Sequence, residues 1–228
     1  MAEQAIVAVH IAAGFAVFLF GAAAMALAKG GTAHRLCGNL FFGAMGALLV
    51  SGVTLGLLRP EVMGANTLGM LTFYLAATGW KTARTREGKP DAFEWGAIAF
   101  AVTTAVCAFI AGWTGANDPV GAKARMFAPA AYVISGLAVL FAAIDVSVVL
   151  RGGVVGAKRF ARHVWRMGFA MVFGAAAGFI GQGARFPERV QPVLSGVVLL
   201  SLILTLVWLA RVRFTRWRMN LPERIPST

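Results

Sequence analysis

The chain has 228 residues, of which 59% are hydrophobic and only 13% charged, and its mean hydropathy is +0.75. Soluble domains average about 45–50% apolar and about 25% charged residues, so the composition excludes an ordinary soluble domain and a disordered chain and leaves an integral membrane protein. The net charge of +12 follows from topology and from contact with anionic lipid headgroups, as its distribution shows, and no nucleic-acid partner is expected.

About 20 mostly apolar residues cross the roughly 30 Å of a bilayer's hydrocarbon core. Seven stretches qualify in chain order, at roughly 4–28, 36–58, 66–84, 92–114, 128–150, 164–183 and 192–210. The first follows Met1-Ala2-Glu3-Gln4, which lacks a basic residue, and it is long for a signal peptide. It therefore reads as a retained span, although Ala24-Met25-Ala26 resembles a cleavage site. All eight prolines fall in or beside connections and the tail, which predicts largely regular helices. The expected fold is all-α, a polytopic membrane bundle of seven transmembrane helices forming one domain over 1–228.

The basic residues alternate between the connections. Lys29 and Arg35, then Lys81, Arg84, Arg86 and Lys89, then Arg151, Lys158, Arg159, Arg162 and Arg166, and in the tail Arg211, Arg213, Arg216, Arg218 and Arg224, fall on one side, making 16 of 21. Positive residues stay in the cytoplasm, so the N-terminus is expected outside and the C-terminus inside. Five of six tryptophans (Trp80, Trp95, Trp165, Trp208, Trp217) sit near that inner interface, where indole rings anchor.

A parallel repeat is also expected. Gly14–Leu19 aligns with Gly136–Phe141, Lys29-Gly30-Gly31 with Arg151-Gly152-Gly153, and Phe42-Gly43-Ala44 resembles Phe173-Gly174-Ala175. The plan is three spans, one linking span at about 92–114 and three spans, with halves at about 4–86 and 128–213. Such repeats occur in transporters.

Ionisable groups inside a span are costly and usually face the bundle with a partner. His34 opens span 2 and His163 opens span 6, so the repeat sets them at one depth, facing each other across the bundle axis. Cys37 follows His34 by three residues and Met167 follows His163 by four, spacings that share a helix face. Imidazole with thioether or thiolate suits haem iron or copper. His34 and His163, with Met167 or Cys37, are thus candidate ligands for haem b or a transition metal ion, His10 being a further candidate metal ligand. Arg35 and Arg166 are candidate partners for anionic groups such as propionates. The competing reading makes both histidines headgroup-facing. His10, Tyr132 (its repeat mate) and Asp145 form a candidate proton or substrate pathway, and Asp145 needs Arg35, Arg166 or a histidine as partner. No lysine in span 7 allows a retinal Schiff base, and the phosphate-loop, HExxH and GxSxG motifs are absent.

Several strings resemble a bacterial multi-span family known only as a domain of unknown function: His10-Ile11-Ala12-Ala13-Gly14, Lys29-Gly30-Gly31, His34-Arg35-Leu36-Cys37-Gly38-Asn39 with Met45, Leu71-Thr72-Phe73-Tyr74-Leu75 and Arg162-His163-Val164-Trp165-Arg166-Met167. The resemblance implies a multi-pass protein of the bacterial inner membrane and carries no activity. The three-one-three plan also resembles the SWEET sugar transporters, though spans 1, 2 and 6 lack the prolines that hinge those proteins. Three readings stand at this level. One is a haem or metal site near the cytoplasmic face serving electron transfer, with a quinone as partner. Another is a small-solute or proton-coupled transporter along the repeat axis. The third is an interaction or sensory protein without its own chemistry.

Overall fold

A computed structural model describes residues 1–59, 64, 66–85 and 89–214. Pro60, Arg86, Arg216, Trp217, Arg218, Pro222, Arg224 and Pro226, which enter the topology reading, lie outside them. Seven α-helices make up the described chain: α1 Ala2–Ala26, α2 Thr32–Leu58, α3 Asn66–Arg84, α4 Ala92–Ala116, α5 Ala122–Leu150, α6 Gly156–Ala175 and α7 Gln191–Phe214. No strand occurs among the described residues.

Six of these helices are long and apolar enough to cross a membrane; α3 is not among them. Its composition explains why. Its 19 residues include Thr67, Thr72, Thr78 and Thr82, and its last turn carries Lys81 and Arg84. Ten of the 19 are buried, against three of 25 in α1. A helix enclosed by other helices does not need an oily surface, so its polar content is tolerated. The hydroxyls of Thr72, Thr78 and Thr82 donate to carbonyls four residues back, which hides their polarity within the helix. The core accordingly centres on α3, where Leu71, Tyr74, Leu75 and Ala76 pack with Val17, Phe41, Met45, Ala101, Phe141 and Met171. The outer faces of α1, α4 and α7 present Phe15, Leu19, Val106, Phe109, Leu199 and Val207, the surface a bilayer requires.

Small residues allow the close crossings. A methyl group on Gly21 of α1 would lie 2.5 Å from Met171 Sδ and 3.0 Å from Phe41. Gly112 of α4 receives the Tyr132 ring, and Gly168 of α6 receives Thr205 of α7. α1 lies along α2, α4 along α5, and α3 along α6, while α6 also packs on α7. α5 reaches α6 through long side chains, including the Phe141–Trp165 ring pair at 5.4 Å.

Helix boundaries depart from the hydropathy reading where polar flanks continue the helix. α5 starts at Ala122 and so contains Pro129, which the sequence put at a helix edge. α6 starts at Gly156, eight residues before the expected span, and passes after Ala175 into a single π-turn, Ala176–Ile180. Gly181 N–H there donates to Ala176 O at 2.9 Å. The α5–α6 turn closes as a Schellman motif: Gly153 N–H donates to Val148 O and Gly152 N–H to Val149 O. Gly152 (φ 76°) and Gly30 (φ 79°), matched in sequence, both adopt the left-handed region that favours glycine.

Candidate functional site

α6 turns one face to α3, and that face carries Arg162, His163, Arg166 and Met167. The spacing of Arg162 and Arg166, and of His163 and Met167, stacks each pair one turn apart. Two adjoining constellations result.

The first is an imidazole pair. His163 is held by α3, its Nδ1 donating to Gly79 O at 3.0 Å. His34, the third residue of α2, donates from Nδ1 to Ala24 O of α1, also at 3.0 Å. A carbonyl only accepts, so both protons are fixed on Nδ1, and each neutral ring keeps its Nε2 lone pair. The ring centroids stand 6.3 Å apart, with planes at 80°. Met167 lies close by, its Sδ 3.0 Å from where a Gly79 methyl would stand. Lys29 caps α1 beside the pair: its ammonium donates to Ala24 O, Met25 O and Leu27 O and sits 4.5 Å from the Trp208 ring centroid. Burial lowers its pKa from the ordinary lysine value.

The second is a buried charge network. Asp145 of α5 is 1% exposed, Arg166 0% and Arg162 7%. Asp145 Oδ1 accepts from Arg162 Nη2 at 2.9 Å and from Arg166 Nη2. The Tyr74 hydroxyl donates to Asp145 Oδ2, with Phe141 O 3.1 Å away, and Arg166 Nη1 donates to the Thr78 hydroxyl. The Arg166 guanidinium also lies over the Trp165 and Tyr74 rings, at 4.6 and 5.1 Å, a favourable placement for a desolvated cation. Two guanidiniums thus share one carboxylate. Nε of Arg162 and Nε of Arg166 are buried without a hydrogen-bond partner.

The structure therefore brings His34 and His163 together, with Met167 beside them. Arg166 is the partner it gives Asp145, joined by Arg162; a guanidinium so engaged is not free to balance a propionate. Arg35, on the first turn of α2, is exposed, and Cys37, on the second, is half-buried. His10 stands apart: its Nδ1 lies 3.0 Å from the Ser51 hydroxyl, which itself donates to Ala47 O. Fourteen residues of α1 separate His10 from Ala24, about 21 Å of helix, so His10 does not join the imidazole pair. Tyr132 packs on Phe109, with ring centroids 5.7 Å apart. It stands thirteen residues before Asp145 on α5, about 20 Å away, and the two do not adjoin. Among the described residues, no group of three or more His, Cys, Asp or Glu side chains is placed to hold a metal ion.

Sequence reasoning missed Tyr74, Thr78 and Arg162. A signal was available: Asp145 is a lone acid in a long apolar run, and the spacing of Arg162 and Arg166 offers it two donors from one face.

Compared with known protein families, with curated proteins and with solved structures, the chain matches none.

Proposed function

We propose that this is a seven-span inner-membrane protein, N-terminus outside and C-terminus cytoplasmic, whose His34–His163 pair holds a redox-active metal for electron transfer. The span count takes α3 as a crossing buried within the bundle, consistent with the alternation of basic connections.

The metal reading rests on the imidazole pair. Residues 129 positions apart in sequence meet with both Nδ1 protons bonded to backbone carbonyls. Metal-bound histidines show this outer contact, which fixes the tautomer and raises the basicity of the other nitrogen. The ring centroids stand 6.3 Å apart, and with Nδ1 engaged each ring would offer its Nε2 to a bound metal. His34 and His163 would hold haem iron, or copper(I) together with the Met167 thioether, and the bound metal would supply one-electron chemistry. Two protein ligands do not suit structural zinc, which takes four.

The test is elemental analysis and a visible spectrum of detergent-purified protein expressed with iron and copper supplied. About one metal per chain is expected, with a Soret band if it is haem iron. His34→Ala and His163→Ala should each abolish it, while His10→Ala retains it. A protein free of metal and colour, or metal that survives both substitutions, refutes the reading.

A further inference from the structure

A groove on the outer surface of the bundle, independent of the imidazole pair, runs between α1 and α2. It has a volume of about 510 Å³ and is lined by Ala12, Ala16, Phe20, Gly43 and Ala47 among others, within the range of about 300–1,000 Å³ that ligand pockets span. From Val9 to Phe20, both on its wall, α1 rises about 16 Å. That is close to one leaflet, half of the roughly 30 Å hydrocarbon core. A methyl group on Gly43 would meet nothing within 4 Å, so the described side chains do not fill the groove there.

The end nearest the α1–α2 turn is polar and basic. Asn39 lines it. Asn39 Oδ1 accepts from Trp80 Nε1 at 3.1 Å and from Arg84 Nη2 at 2.8 Å, which leaves the amide NH2 as a donor. The Arg84 guanidinium lies over the Trp80 ring, 4.1 Å from its centroid. Arg35 stands four residues before Asn39, one turn nearer the α1–α2 connection on the same face of α2, and is exposed. Neither arginine makes an ion pair among the described residues. The tail 215–228 carries three arginines and one glutamate, so the charge it brings has the wrong sign. Two guanidiniums without carboxylates thus stand at the mouth of an apolar groove one leaflet long. Basic pockets between membrane helices are the usual seat of anionic headgroups.

We propose that this groove seats one acyl chain of an anionic phospholipid, whose phosphate rests on the Arg35 and Arg84 guanidiniums. The chain covers the apolar wall, and the headgroup supplies the negative charge that the mouth lacks. A second copy of the protein could cover the wall but would bring the same basic mouth, not an anion.

Thermal unfolding of the full chain in detergent tests this, with phosphatidylglycerol or phosphatidylcholine of identical acyl chains titrated into the micelles. Phosphatidylglycerol should raise the midpoint saturably, and phosphatidylcholine should act more weakly. Arg35→Gln and Arg84→Gln should each weaken the apparent affinity for phosphatidylglycerol about fivefold, the loss of one basic contact. Arg151→Gln, which removes an exposed arginine of the α5–α6 turn, should leave it unchanged. Gly43→Leu places a side chain in the groove, where there is room for it, and should abolish the response to both lipids. A midpoint indifferent to phosphatidylglycerol overturns the proposal, as do an equal response to the two lipids, the same rise with inorganic phosphate, an equal loss in all three arginine variants, or a response that Gly43→Leu retains. A Gly43→Leu protein that changes from dimer to monomer with its lipid response intact overturns it in favour of a second copy.

Discussion

Asp145→Asn is the most informative single change in the charge network. The carboxylate accepts from Arg162, Arg166 and Tyr74, and all four residues are more than nine-tenths buried. Asparagine keeps the shape but removes the charge, leaving two guanidiniums facing each other without an anion. Its amide NH2 also offers a donor where donors already converge. Removing one partner of a buried pair costs about 3–5 kcal/mol, against a typical total stability of about 5–15 kcal/mol. For a chain of this size each kcal/mol moves the midpoint by about 2–4 °C, so a fall of roughly 6–20 °C is expected. Thermal unfolding in detergent, followed by tryptophan fluorescence, measures it. Adding Arg162→Gln to Asp145→Asn removes one orphaned cation and should recover part of the loss, giving a coupling of about 0.5–3 kcal/mol. An Asp145→Asn protein within about 0.5 kcal/mol of the parent, the range of an ordinary surface change, refutes the account of this network.

Three further outcomes are expected. Gly21→Ala drives a methyl into Met171 and Phe41 and should destabilise the protein by about 1–3 kcal/mol through overpacking, read in the same unfolding assay; a neutral result means that α1 does not seat as described. Lys81 and the Phe93 N–H hold the Asp91 carboxyl below the usual carboxylate range. The contribution of Asp91 to the α4 start is therefore complete above its unfolded-state pKa and fades as pH falls through the lower folded value, so the protection factors of amides in the first turn of α4, taken against the intrinsic exchange rate at each pH, should fall on acidification, and not in Asp91→Asn. Reporter fusions at Met1 and after Phe214 should report opposite sides of the membrane if the proposed seven crossings separate them; the same side for both would remove α3 from the count.

What the sequence made legible was the apolar middle of the long helices. Helix ends were less visible, because hydropathy falls away before the backbone ladder does. Placing the start of span 6 at 164 left Arg162 to be counted as a connection residue, whereas α6 starts at Gly156 and carries it inside. Pro129 misled in the same way at α5. The imidazole pair could be anticipated because the expected topology puts the histidines that open spans 2 and 6 on one side, and the two rings do meet. The Tyr74–Asp145–Arg166 contacts could not, since they depend on α3 being the enclosed helix. Nothing in a one-dimensional pattern separates a polar helix at the centre of a bundle from one that never enters it.

The enclosure of α3 has a consequence for how the protein is made. Its strongest companion, α6, is synthesised about 70 residues later. On the proposed seven-span reading, a threonine-rich segment ending in Lys81 and Arg84 is made before the helix that shelters it. Assembly from the N-terminus alone therefore cannot be final. α3 takes its permanent place only when the second half of the polypeptide arrives, and truncation ahead of α6 should yield a product that quality-control proteases remove.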